Sequence, residues 1–332
     1  MSKVIKKLLT TAGIVASGAV MFGMAAYATT ASLVKMALDR EEPEIMKKSG
    51  KRISGNEDTS EFEEEYTAAA QVLNNSDLET VKITARDGIT LEGHFYQCDT
   101  AKRVIIAFHG WRSSWYGDFG LIAEFWNSNN CSVLYVEQRG QNNSGGDYMG
   151  FGLIERYDCV DWANWVVDKC GEELPIYLAG ISMGATTVLM AADLDLPNSV
   201  HGIMADCGFT SPKEIWKHVA QKNLHIPYNF RGIIADSICK QKINMRTGDC
   251  STLESLAKTN IPVLFVHGTD DKFVPIDMTY QNYKACTSPK RLLVVPGANH
   301  AMSYCVERAE YQKTVLGFWH DFDTRQIKNV AV

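Results

Sequence analysis

A chain of 332 residues, 45% of them hydrophobic, can bury one sizeable core and hold one or two domains. Its net charge of -6, with both signs interspersed, lacks the basic clustering that a nucleic-acid partner would need. The nine cysteines show no C-x-x-C pair and no Cys/His ligand spacing, so neither a metal centre nor a cofactor is expected; their apolar surroundings make them buried thiols, with a disulfide as the alternative.

Lys3, Lys6 and Lys7 open the chain, and the 27 residues from Leu8 to Val34 carry no charge. As a helix this run would reach about 40 Å, enough to cross a hydrocarbon core of about 30 Å. The expectation is an N-terminal membrane anchor over residues 1–38. The alternative is a secretory signal cleaved after Ala26-Tyr27-Ala28, which the run overshoots, and a third reading is a buried or partner-binding helix. The signal-like opening suggests a domain outside the membrane, whereas the basic far flank (Lys35, Arg40, Lys47, Lys48, Lys51, Arg52) favours the opposite topology. Residues 39–77 read as a charged linker with one short helix, Glu61 to Leu73.

From about Leu78 to the end the pattern is globular. Val81 to Arg86 and Ile89 to Tyr96 alternate and flank Asp87-Gly88, the signature of a two-residue type I′ hairpin. Arg103 to His109, Ser132 to Glu137, Ile176 to Ile181, His201 to Cys207, Ile261 to His267 and Arg291 to Pro296 are further apolar strand patterns. Helical spacing separates them: Phe119, Ile122, Phe125 and Trp126; Leu153 to Lys169; Ala185 to Asp193; and Tyr311 to Phe322. Strands alternating with helices predict an α/β fold, a mostly parallel sheet of about eight strands covered on both faces. Between 210 and 260 the alternation stops, and a helical insertion containing Trp216 is expected as a cap over a pocket, with a plain crossover as the alternative.

Gly180-Ile181-Ser182-Met183-Gly184 lies between the strand at 176–181 and a helix. Gly-x-Ser-x-Gly in that setting is a nucleophile elbow, with the serine pushed out of the sheet at a turn too tight for larger flanking residues. A serine hydroxyl needs a base, and an imidazole base needs a carboxylate. Downstream, one strand ends in Gly268-Thr269-Asp270-Asp271-Lys272-Phe273-Val274-Pro275 and the last in Pro296-Gly297-Ala298-Asn299-His300. Both loops fall at the carboxyl edge of the sheet, in the chain order Ser, Asp, His.

These motifs resemble the α/β-hydrolase superfamily over roughly residues 78–325, in particular bacterial membrane-anchored serine hydrolases of the dienelactone-hydrolase and acylaminoacyl-peptidase-like groups. The resemblance implies a triad of Ser182, Asp271 and His300, with Asp270 as the other carboxylate to weigh. It also implies oxyanion donors at the backbone N–H of Met183 and, after Phe108-His109-Gly110, of Trp111. His109 is then a residue that shapes its loop. Arg139 to Gly146 resembles the family's Arg-Gly-His-Gly-x-Ser-Gly-Gly loop but departs at Gln141 and Asn142, which bears on loop shape. Tyr116, Arg112 and Trp216 are candidates to touch substrate, and histidines 94, 201, 218, 225, 267 and 320 read as surface, strand-end or lid residues. The expected function is hydrolysis of carboxylic esters through an acyl-enzyme. The alternatives are a peptidase or thioesterase of the same fold and a non-catalytic binding protein. Dehalogenase and epoxide-hydrolase chemistry is disfavoured, because it would place a carboxylate where Ser182 stands.

Overall fold

The computed structural model describes residues 21, 23–41 and 62–324. Residues 23–38 form helix α1 and Glu63–Asn74 form α2. Two strands follow, β1 (Glu79–Thr84) and β2 (Thr90–Tyr96). The alternating part then runs β3 (Arg103–Phe108), α3 (Trp115–Ser128), β4 (Cys131–Val136), α4 (Glu155–Cys170), β5 (Ile176–Ile181), α5 (Met183–Ala191) and β6 (Val200–Asp206). After β6 come α6 (Pro212–His218), a π-helical turn (Val219–Asn223), α7 (Asn229–Ile243) and α8 (Thr252–Leu256). The chain closes with β7 (Val263–Gly268), α9 (Ile276–Ala285), β8 (Lys290–Val295), α10 (Ser303–Val306) and α11 (Arg308–Phe322).

The eight strands make one sheet in the order β1-β2-β4-β3-β5-β6-β7-β8. β1 and β2 pair antiparallel, β2 runs antiparallel to β4, and the remaining pairs are parallel. In β3, Val104, Ile106 and Phe108 face a layer that includes Trp162 and Val166 of α4 and Val188 of α5. Ile105 and Ala107 face the other layer, with Phe119 and Trp126 of α3 and Phe318 and Trp319 of α11. All six residues of β3 are buried. Because both pleat faces are covered, the central strands read as unbroken apolar runs. The expected α/β-hydrolase fold is what the chain forms, and the parallel strands bring their C-terminal ends, and thus Ser182, Asp271 and His300, to one edge.

Three expectations about local structure change. The turn after β1 is a three-residue loop: the N–H of Gly88 donates to Ala85 O at 2.8 Å, and that of Ala85 donates to Ile89 O at 2.8 Å. A type I′ turn needs two positive φ values, and between Ala85 and Ile89 only Gly88 has one, at 87°. Asp87 instead reaches Arg139 at 2.7 Å, which ties the hairpin tip to the loop after β4.

Second, α2 is part of the packed fold and not a spacer. Its Leu73 is buried in the layer of α3, and the two helices approach so closely that a Cβ on Gly120 of α3 would lie 2.7 Å from the backbone of Ala70.

Third, the C-terminal part of the uncharged run lies on the domain. Ala26, Thr30, Val34 and Leu38 recur every fourth residue on one stripe of α1, and all four are buried. Arg231 of α7 donates to Thr29 Oγ1 at 2.6 Å, Thr30 Oγ1 at 3.0 Å and Ala26 O at 3.1 Å. One stripe of residues 26–38 is thus covered by protein, while Tyr27 and Lys35 stay exposed. No helix among the described residues is long and apolar enough to cross a membrane. Residues 1–20, which hold about half of the uncharged run, lie outside the described ones, as do residues 42–61 of the linker.

α6 and α7 do cover the edge of the sheet where the expected cap was placed. Ile215, Ala235, Ile238 and Cys239 share a buried apolar cluster with Met183, Phe209 and Val274, and Val34 and Leu38 of α1 complete it. All nine cysteines are free thiols, seven of them buried.

Candidate active site

β5 ends at Ile181 and α5 begins at Met183, so Ser182 alone makes the turn. It does so at φ 55° and ψ -113°, a conformation uncommon for a residue with a side chain. The flanking glycines permit it, since a Cβ on Gly180 would meet the Gly184 carbonyl carbon at 2.4 Å and one on Gly184 would meet Phe108 O at 1.9 Å. The Ser182 N–H donates to Asp206 O at 2.9 Å, which fixes the apex to the end of β6.

Ser182 Oγ lies 2.8 Å from His300 Nε2. His300 Nδ1 lies 2.6 Å from Asp271 Oδ2. With the proton on Nδ1 donated to the carboxylate, Nε2 is left as acceptor for the serine hydroxyl. Asp271 Oδ1 is held in turn by the N–H groups of Phe273 at 2.9 Å and Val274 at 2.8 Å. Asp270, the other carboxylate, is exposed and accepts from Thr269 Oγ1.

Burial pushes the Asp271 carboxyl up, but the charge of His300 and the hydrogen bonds of His267 and His300 outweigh it and hold the group well below the usual carboxylate range. Burial lowers the His300 imidazole, and the adjacent Asp271 more than offsets this, leaving it raised above 6.5. Asp206 sits beside this pair; burial pushes its carboxyl up to about 6, and it accepts from Ser303 Oγ at 3.0 Å.

Sequence reasoning passed over His267. It is fully buried at the end of β7, with Nε2 3.1 Å from Asp271 Oδ2 and 2.9 Å from Val274 O, and Nδ1 2.7 Å from Thr279 Oγ1. It therefore faces the same carboxylate oxygen that His300 uses. The only sequence signal was its place at the strand end directly before Gly268.

The loop after β3 passes against the serine, for a Cβ on Gly110 would lie 3.6 Å from Ser182 Cβ. Gly110 N–H donates to Asp118 Oδ2 at 2.6 Å. Among the described residues, neither Trp111 N–H nor Met183 N–H donates to a carbonyl in a turn, loop or cap, and Met183 N–H stands in the first turn of α5, where helix amides and the dipole favour negative charge. His109 is fully buried; its Nδ1 lies 2.7 Å from Gly110 O, and its Nε2 accepts from Gln138 N at 3.1 Å. Burial lowers its imidazole, so it shapes the loop as a neutral ring.

Gln141 and Asn142, where the loop departs from the resembling pattern, both reach this loop. Gln141 Oε1 accepts from Arg112 N at 2.6 Å and Asn142 Nδ2 donates to Ser113 O at 3.0 Å.

Of the three substrate candidates, the structure brings one to the apolar cluster. Trp216 packs edge-on against Phe151 at 5.5 Å, and its buried Nε1 has no hydrogen-bond partner. Arg112 is turned away: its guanidinium donates to Met36 O at 2.9 Å and Asp39 O at 2.6 Å, at the end of α1. Tyr116 packs against Trp115 in the layer of α3. The carbonyls at the end of α1 and the core of α3 hold these two side chains.

The prolyl oligopeptidase family pattern matches residues 118–323, and the chain belongs to that family. It has the α/β-hydrolase fold, with Ser182 at the turn between β5 and α5. Among relatives, YqkD of Bacillus subtilis is 30% identical over 187 residues, covering 56% of this chain and 61% of that protein, so the match spans less than two thirds of YqkD. YfhR of Escherichia coli K12 is 25% identical over 248 residues, 72% of this chain and 80% of that protein. Of solved structures, the Pyrococcus furiosus esterase Pf2001 superposes with a TM-score of 0.61 at 21% identity, over 74% of this chain and 91% of that one. A puromycin-hydrolyzing peptidase of Mycobacterium tuberculosis gives 0.60 at 17%, over 76% and 40%. Est1E of Butyrivibrio proteoclasticus, with bound ferulic acid, gives 0.56 at 16%, over 74% and 100%.

Proposed function

We propose that the protein hydrolyses carboxylic esters through an acyl-enzyme intermediate. The observation that carries this is the continuous line from Ser182 Oγ through His300 to Asp271, with links of 2.8 and 2.6 Å. His300 takes the serine proton as Oγ attacks the carbonyl carbon, and the resulting imidazolium faces the ionised Asp271. The oxyanion receives the N–H groups of Met183 and Trp111; losing one such donor typically costs about 2.7 to 4 kcal/mol of barrier. His300 then returns the proton to the leaving alcohol, and water repeats the sequence on the acyl group.

The hydrophobic cluster of Phe151, Phe209, Trp216 and Phe273 around Met183 offers apolar surroundings for an acyl group. A small-molecule ester is therefore favoured. The family and the puromycin-hydrolyzing neighbour keep a peptidase as the second reading. The uncharged run from Leu8 to Ala25, ahead of the buried stripe of α1, supports membrane attachment. An intact N-terminus recovered in the membrane fraction is the expected result, whereas a mature chain beginning at Thr29 would argue against it.

The test of the chemistry is a fluorophosphonate probe. Wild type labels and Ser182→Ala does not; a folded but unlabelled wild type would refute the proposal. Matched ester, thioester and aminoacyl-amide substrates then rank the readings, with esters expected to turn over fastest.

A further inference from the structure

The helix ahead of the catalytic fold, α1, is joined at its C-terminal end to the loop after β3, which passes against Ser182, and to the loop after β4. Trp111 Nε1 donates to Ala37 O at 2.9 Å. Arg112 donates to Met36 O and Asp39 O, and its Nη1 lies 3.4 Å from Arg40 O. Met149 N–H donates to Leu38 O at 2.7 Å and Arg40 N–H to Asp147 O at 2.8 Å, so the loop after β4 is held as well. Asp39 pairs with Lys242 of α7 at 2.7 Å. These carbonyls are the ones a helix end leaves without internal partners, and a planar guanidinium with several donors suits them.

Arg112 pays for this grip with a backbone φ of 51°, in the left-handed region. The residue directly before it is Trp111, whose N–H is the second oxyanion donor in the proposed mechanism. On the other side of the same helix end, Val34 and Leu38 are buried in the cluster that contains Trp111, Phe151, Met183 and Trp216. With α1 in place Ser182 is only 6% exposed.

We propose that α1 is a working part of the active site: Val34 and Leu38 are the specificity-determining side of the apolar cluster that receives the acyl group, and Arg112 is a positioning residue that sets the oxyanion loop against the end of α1. This rests on the ester-hydrolase reading. The selected substrate class is uncharged aliphatic esters, with acyl chain length limited by the side chains at 34 and 38.

The test uses the full chain in detergent, with active sites counted by fluorophosphonate, and compares p-nitrophenyl acetate, butyrate and octanoate. Leu38→Ala raises the octanoate-to-acetate ratio of kcat/KM about tenfold, the order expected when methylenes are added to or removed from an apolar pocket, and Leu38→Trp lowers it by a similar factor. Opposite shifts from a smaller and a larger side chain separate a role in acyl-chain selection from loss of folding. Arg112→Met lowers kcat per titrated site at least about tenfold, with KM within about twofold and an unchanged pH profile, and Arg112→Lys does not restore it, because a point charge cannot serve several carbonyls. If the titrated serine stays reactive while both Leu38 variants keep the wild-type ratio, or if Arg112→Met only lowers Tm and leaves kcat per site intact, the corresponding role of α1 is overturned with the hydrolase reading untouched. A wild type that fails to react with fluorophosphonate overturns both.

Discussion

Asp271 carries two histidines on one oxygen, and this separates it from its exposed neighbour Asp270. The resemblance to the hydrolase family implied Asp271; in the structure its Oδ1 is held by two amides of its own turn, which leaves Oδ2 to face the imidazoles. The raised His300 imidazole has a consequence for pH dependence. Ser182 needs His300 neutral, so activity grows as pH rises through a value above 6.5, and the acid limb of kcat/KM lies on the alkaline side of a free imidazole. Asp271→Asn removes the anion that raises it. The limb then moves to lower pH while kcat falls on the order of 10⁴-fold, as expected when the partner fixing the imidazole tautomer is lost. A limb that stays in place in the variant would show that another carboxylate sets it. His267 was not legible in the sequence because a histidine before a glycine at a strand end has many uses; its role is set by the fold-dependent approach of a carboxylate four residues on.

At the scale of elements, the strands and helices from β3 onward follow from apolar periodicity, because a covered parallel sheet allows little else. The errors fall where a tertiary contact decides. Asp87 is drawn to Arg139, so the turn grows by one residue. α2 has a strongly acidic first turn, Glu63 to Glu65, and reads as solvated, yet the absence of a side chain at Gly120 lets its backbone settle on α3. That contact can be tested alone. Gly120→Ala puts a methyl group 2.7 to 2.9 Å from backbone atoms of Ala69 and Ala70, and such overpacking costs about 1 to 3 kcal/mol. The denaturation midpoint should drop accordingly, with kcat of the remaining folded enzyme preserved, since the contact is on the α3 side of the sheet. An unchanged midpoint would mean that α2 is not seated on α3 in solution.

For the molecule as a whole, the meeting of Ser182, His300 and Asp271 was readable because three strand ends carry short motifs in a fixed order. The cover over the site was only half readable. The stretch 210–260 announced itself by breaking the alternation, but α1 was hidden inside an uncharged run whose composition also suits a bilayer. Its buried stripe of Ala26, Thr30, Val34 and Leu38 is small and weakly apolar, so periodicity alone does not distinguish a helix laid on protein from one laid in lipid.

The free thiols lead to a different kind of use. Cys131 and Cys305 have their thiols pushed up to about 11, and Cys239 to about 12, in each case mainly by burial. Only Cys98 and Cys170 are partly open to solvent. In the native state the protein thus carries two addressable sulfurs on an otherwise silent background, and no engineered tag is needed to ask which compartment it occupies. A bulky maleimide that cannot cross a bilayer should modify intact cells at these two positions when the catalytic fold is outside, and should modify them only after lysis when it is inside. Modification spread over all nine cysteines before unfolding would contradict the packing described for the core.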